Sequence, residues 1–218
     1  ALISFGKSNV LIDTSPDLRQ QLLNKNIKSI DQVLYTHMHA DQTHGINDLR
    51  IFYLKQRKKI PVYCDKPTAK YLYKNFSYCF KKKYDYPAFL LLKNLKKNFQ
   101  LQNSTKKINI KAIKIKHGLI DTIAYIINEE LAYISDANKF YHKDFDSFKG
   151  LKYLIIDCLR YDKHPSHFNL EDVLRMVNIL KPKKTILTNL HSDLDYNKLL
   201  KILPDNISPG YDGLSIDI

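Results

Sequence analysis

An alternation of two periodicities does most to narrow the folds open to this chain. Short runs rich in β-branched residues, among them "NVLIDT", "QVLYTH", "IPVYC", "INIKAIKIKH", "LKYLIIDC" and "KKTILTN", are separated by stretches with helical spacing. Examples of the latter are "SPDLRQQLLNKNI", "GINDLRIFYLKQR" and "NLEDVLRMVNILK". Strands and helices in alternation imply an α/β fold in which helices cover the faces of sheets. With 218 residues, 44% of them hydrophobic, the chain is long enough for one large core, and a single domain spanning 1–218 is expected.

The polar residues that interrupt this pattern fall in telling places. His37, Asp136, Asp157 and Asn189 each follow an apolar run directly or within a residue or two, where α/β sheets present ligand-binding groups. In "THMHADQTH", His37 and His39 stand two apart and can point the same way from an extended segment, and Asp41 can follow if a turn bends it in. Imidazole and carboxylate together suit zinc, manganese or iron. A hydrolytic metal also needs an open position for water, whose pKa it lowers. Metal ligation is therefore the reading of His37, His39 and Asp41.

Composition sets further bounds. The three cysteines, Cys64, Cys79 and Cys158, are far apart and form no CxxC pair, which fits reduced thiols and a cytoplasmic location rather than a disulfide framework. No apolar run approaches a membrane span. The chain opens without Met, in a stretch that already reads as strand, so its native N-terminus is expected to lie upstream. The formal charge of +13 is concentrated: between Lys66 and Lys116 there are fourteen lysines against one acid, Asp85, and the rest of the chain is balanced. Aromatics interleave with those lysines, as in proteins that stack single-stranded bases. Abundant Lys, Asn, Ile and Tyr throughout the chain favour a solvated lysine face over a nucleic-acid surface. The segment from about 66 to 109 is the least strand-like part and reads as an inserted helical lid.

Taken with the blocks that follow it, "THMHADQTH" resembles the metallo-β-lactamase superfamily, whose signature is His-x-His-x-Asp-His. "VLIDTSPD" is similar to the family's early strand ending in an acid, "IKIKHGLIDTIAYII" to the strand bearing its third histidine, and "LAYISDA" to the block with its bridging aspartate. "LIIDCLRYDKHPSHFNL", "TILTNLHSDLDY" and "GYDGLSI" resemble the closing blocks of the phosphoribosyl 1,2-cyclic phosphodiesterase branch, kin of the tRNA 3′-processing nucleases. The resemblance implies a four-layer αβ/βα sandwich, with two mixed sheets flanked by helices.

It also implies a ligand set. A first metal, zinc by preference, would be held by His37, His39 and His117 with Asp136 bridging. A second would sit at Asp41, Gln42, Asp136 and Asn189. The family has histidine at the positions of Gln42 and Asn189, so both departures fall on one metal; amide oxygens suit harder ions, and manganese, magnesium or iron is expected there. His191 is an alternative ligand if its loop is shifted. The resemblance makes His167 the donor of a proton to the leaving group and gives Asp41 a catalytic place beside the metal. Asp13 and Asp157 are candidates to orient a ligand histidine, with helix capping the alternative for Asp13. His164, His44 and His142 read as loop or structural residues, and Asp212 as a turn residue.

The function these features imply is a metal-dependent phosphodiesterase that acts on a small, cyclic or open phosphate ester through a metal-bound hydroxide. The alternatives are a tRNA 3′-processing endonuclease, a thioester or lactam hydrolase, and a metal-binding protein without turnover. RNA and a second copy of the chain are candidate partners. Against the nuclease, the lysine-rich segment contains no glycine between Gly45 and Gly118, whereas such enzymes grip tRNA with a glycine-rich arm.

Overall fold

The computed structural model describes residues 1–218, which divide into two compact units: Ala1–Lys96 with Leu101–Lys107, and Lys97–Gln100 with Ile108–Ile218. The first unit holds a five-stranded mixed sheet. Its strands are β1 (Leu2–Phe5), β2 (Ser8–Ile12), β3 (Gln32–Leu34), β4 (Ile60–Cys64) and β5 (Leu90–Asn94), in that spatial order, with β1 antiparallel to β2 and the others parallel. Its helices are α1 (Leu18–Asn24), α2 (Ala40–Thr43), α3 (Arg50–Gln56), α4 (Lys66–Asn75) and α5 (Ser77–Phe80).

Apolar side chains from both kinds of element build the core of this unit. Val33, Tyr35, Ile60 and Val62 from the sheet side pack with Leu18, Leu22, Phe52 and Leu72 from the helices. Truncating a side chain as buried as Leu72 costs about 2–5 kcal/mol. α4 starts where Asp65 accepts the Thr68 N–H at 3.0 Å and Pro67 fills the first turn, so the sequence supplies both the cap and the φ that a helix start requires.

The second unit holds a seven-stranded mixed sheet: β6 (Asn98–Gln102), β7 (Lys107–His117), β8 (Ile120–Ile127), β9 (Leu131–Ile134), β10 (Tyr153–Asp157), β11 (Lys184–Thr188) and β12 (Ile207–Pro209), ordered β12-β11-β10-β9-β8-β7-β6. β7, β8 and β9 run antiparallel, while β9 through β12 are parallel. α6 (Leu170–Leu180) and α7 (Tyr196–Ile202) complete it. Along α6, Leu170, Val173, Val177 and Leu180 recur at helical spacing and bury against Ile134, Leu154, Ile156 and Leu187. Its first turn is held by Asn169, which accepts the Asp172 N–H at 2.9 Å.

Helices beside sheets are what the alternating sequence pattern implies, and two mixed sheets with flanking helices are what the resemblance implies. The lysine-rich segment differs from its description as a helical lid. It is helical in α4 and α5, then supplies β5 to the first sheet and β6 to the second. β5 is a short run, LLLKN, with no alternation, and β6 keeps a period of two over only five residues, NFQLQ, so neither stands out among the surrounding lysines. Cys64, Cys79 and Cys158 are buried free thiols, and burial pushes each up to about 12.

Topology also fixes where polar residues gather in the second unit. β7 and β9 are both antiparallel to β8 and so run the same way, and β9, β10 and β11 are parallel. The C-terminal ends of β7, β9, β10 and β11 therefore share one edge of the sheet. His117 and Asp157 are the last residues of their strands, Asp136 follows β9 by two, and Asn189 follows β11 directly.

Candidate metal centre

In the first unit, the segment after β3 carries the histidines. Thr36 and His37 are buried, whereas His39 is exposed. The His37 Nε2 and His39 Nδ1 atoms lie 3.0 Å apart, close to the separation of about 3.3 Å that two ring nitrogens take on a tetrahedral zinc ion. His37 is oriented from behind. Asp13, in the left-handed region at φ 63°, accepts both the Thr36 backbone N–H and the Thr36 hydroxyl at 2.8 Å. The same hydroxyl oxygen lies 3.0 Å from His37 Nδ1. Because the Thr36 hydrogen is given to a carboxylate, its oxygen is left to accept Nδ1–H, which leaves Nε2 as the lone-pair donor.

Asp13 thus acts on His37 through an intervening hydroxyl. It caps no helix, since α1 begins later, after Asp17. Thr36 escaped the reading of the sequence; its place immediately before His37 is the only signal that marked it. Asp41 and Gln42 follow on α2, and the Gln42 amide N–H donates to the Asp41 carboxylate at 2.8 Å.

The strand ends of the second unit assemble the other residues. One donor atom from each of His117, Asp136 and His167 lies within 4.8 Å of the others, and this arrangement can hold a cation. His117 Nδ1 lies 2.7 Å from the Ser166 carbonyl oxygen, which can only accept, so Nδ1 carries the hydrogen and Nε2 the lone pair. Gly118 permits this approach. Its φ of +58° is in the left-handed region, and a Cβ there would sit 2.8 Å from the Ser166 Cβ. Asn138 braces the same turn by accepting the Gly118 N–H at 3.0 Å and donating to the Pro165 carbonyl at 2.8 Å.

His167 Nδ1 lies 2.8 Å from Asp157 Oδ2, so this ring too presents Nε2 as its working nitrogen. Asp157 is fully buried and also accepts the Ala137 N–H at 2.9 Å. Burial raises its carboxyl above the ordinary range, against the opposing pull of His167, Ala137 and Asn189. The Asn189 amide N–H is directed at Asp157 Oδ1 (3.1 Å) and Asp136 Oδ1 (3.3 Å) from a left-handed backbone at φ 61°. His191 turns elsewhere: its side chain is exposed and its Nδ1 lies 3.1 Å from Asp193 Oδ1. His44 and His142 are exposed, and Asp212 lies in a turn.

Both units pass a chemical test of fit for a metal. His37 and His117 each have Nδ1 against an oxygen, which assigns the lone pair to Nε2, as in metal-binding imidazoles, and the carboxylate of Asp136 is buried beside His117. The amides of Gln42 and Asn189 instead turn hydrogens toward carboxylates.

Comparison with known proteins agrees with these features. Residues 8–189 match the family model described as a beta-lactamase superfamily domain. An octanoyltransferase of Porphyromonas gingivalis is 32% identical over 216 residues, which cover 98% of this chain and 43% of that protein, so the chain spans less than half the length of this curated relative. Among solved structures, a diphosphatase from the PhnP family superposes with a TM-score of 0.89 at 27% identity, covering 100% of this chain and 83% of that one. Zinc-bound PqqB from Methylobacterium extorquens superposes at 0.80 with 13% identity (100% and 86% covered), and the short form of human tRNase Z at 0.73 with 15% identity (100% and 92% covered). The chain belongs to the beta-lactamase superfamily domain family and has the metallo-β-lactamase fold of its hydrolases.

Proposed function

We propose that this protein is a metal-dependent phosphoesterase acting on a small phosphate ester, and that the metal is zinc held by His37, His39, His117 and Asp136. The couple between His167 and Asp157 carries the reading. Cleaving a phosphate ester expels an alkoxide, a poor leaving group unless protonated, and a histidine whose Nδ1–H is anchored on a buried carboxylate offers a proton from Nε2. Asp157 stabilises the protonated ring and fixes its orientation, as carboxylates do in acid–base couples. A divalent cation, when bound, supplies Lewis acidity and an activated water. His117 and His37 contribute by presenting the lone pairs of their Nε2 atoms. The similarity to a PhnP-family diphosphatase at 27% identity supports phosphorus as the reacting centre.

A second reading, hydrolysis of an acyl thioester, draws on the similarity to an octanoyltransferase. The test compares matched substrates on the zinc-loaded protein. His167→Ala should retain its metal, lose about 100-fold or more on alkyl phosphodiesters, and lose far less on nitrophenyl esters, whose leaving group needs little protonation. An equal loss on both removes the acid role, and turnover of thioesters alone replaces the phosphoesterase reading with the second.

A further inference from the structure

His164 stands outside the ligand set and the His167–Asp157 couple, yet the loop that follows β10 contacts it through the same residue, Ser166, that contacts His117. The backbone N–H of Ser166 is directed at His164 Nδ1 at 3.3 Å, and the Ser166 hydroxyl lies 3.2 Å from the same nitrogen. An amide hydrogen aimed at a ring nitrogen excludes a proton there, so neutral His164 carries its hydrogen on Nε2. The carbonyl of Ser166 meanwhile takes the Nδ1–H of His117 at 2.7 Å. The two backbone groups of one residue therefore set two imidazoles in opposite tautomers. His117 is left with a lone pair, suited to a cation, and His164 with an N–H, suited to an anion.

The loop around them is built to keep this arrangement. Arg160 donates to the carbonyls of Asp162 (3.3 Å) and Lys163 (2.8 Å), bracing the segment that bears His164. The His164 ring centroid is 5.0 Å from that of His167, which is 4.7 Å from that of His117. Burial, with the positive charges of His167 and Arg160, holds His164 below its ordinary pKa, so the ring stays neutral and its tautomer defined near neutral pH. The bonds this loop makes to the His164 ring are at Nδ1, and Nε2 offers its hydrogen outward from them.

We propose that His164 is a substrate-binding residue whose Nε2–H donates to an anionic oxygen of the phosphate group. The proposal deepens the phosphoesterase reading and rests on it for the identity of the anion. Inorganic phosphate is the probe, titrated calorimetrically into the zinc-loaded protein. His164→Asn keeps an amide near the Nδ1 position but has no group at Nε2, and it should weaken phosphate binding by about tenfold or more, since a hydrogen bond to a charged partner is lost. KM for a phosphodiester should rise by a similar factor with kcat changed less. His164→Gln, whose amide reaches the Nε2 position, should stay within about threefold of wild type on the same scale of hydrogen-bond energies. Zinc content should be equal in all three proteins.

Long-range nitrogen–proton NMR on the unsubstituted protein should report His164 with Nε2 protonated. Unchanged phosphate affinity in His164→Asn with zinc retained overturns the proposal, as does the Nδ1–H tautomer or a wild-type protein that binds no phosphate. A protein that hydrolyses no phosphate ester while His164→Asn still weakens phosphate binding overturns the phosphoesterase reading and leaves the anion donor standing.

Discussion

The substitution Asn189→Asp changes one group of the side chain, an amide NH2 for a carboxylate oxygen, and its cost can be worked from the contacts. In the wild type that NH2 donates to Asp157 Oδ1 at 3.1 Å and to Asp136 Oδ1 at 3.3 Å. Hydrogen bonds of this length, made by an exposed side chain, contribute about 0.5–1 kcal/mol each. The new carboxylate oxygen would face two others at these separations, and at the high effective dielectric of an exposed group each repulsion costs about 1–2 kcal/mol. The metal-free variant should therefore be less stable by about 3–6 kcal/mol, a fall in Tm of roughly 6–24 °C for a chain of this size. A cation bound among three carboxylates removes the repulsion, so zinc or manganese should recover most of the loss, and its effect on Tm should be larger than in the wild type. Thermal unfolding in chelator, repeated with each ion added, measures both quantities. A variant as stable as wild type in chelator would mean that Asn189 does not bridge Asp136 and Asp157, and one that unfolds early but ignores divalent ions would show that the space between these groups does not take a cation.

Thr36→Val keeps the shape of the side chain and removes the hydroxyl between Asp13 and His37, so zinc affinity measured by competition with a chelating dye should fall by about 10–100-fold. Because the Asp157 carboxyl is raised in the folded protein, its contribution to stability is fullest below its unfolded pKa and is lost as pH rises through the raised value. In Asp157→Asn that contribution no longer titrates, so the Tm of the metal-free variant relative to wild type should climb as pH rises above the ordinary carboxylate range. Gly118→Ala must place a Cβ 2.8 Å from that of Ser166 at a left-handed φ; a loss of about 1–3 kcal/mol in urea unfolding is expected, with zinc affinity reduced through His117.

Much of the fold was legible because its causes are local. β-branched runs and helical spacing mark strands such as β7 and β10 and helices such as α6 whatever the chain does elsewhere, and the Asp65-Lys66-Pro67 start of α4 can be read residue by residue. The edge strands β5 and β6 were not legible, since each is only five residues long within a lysine-rich stretch and pairing with β4 and with the second sheet is what makes them strands.

The ends of the apolar runs marked His37, Asp136, Asp157 and Asn189 as candidates, because position at a strand end is a property of sequence order, and the family resemblance added His117 and His167. Tertiary structure alone decided which nitrogen each imidazole presents. That choice depends on a partner at the far side of the ring: the Thr36 hydroxyl backed by Asp13 for His37, the Ser166 carbonyl for His117, the Asp157 carboxylate for His167 and the Ser166 amide for His164. Two of these partners are backbone groups, which every residue carries and no sequence distinguishes, so the tautomers emerge only when folding brings one particular N–H and C=O against one particular ring.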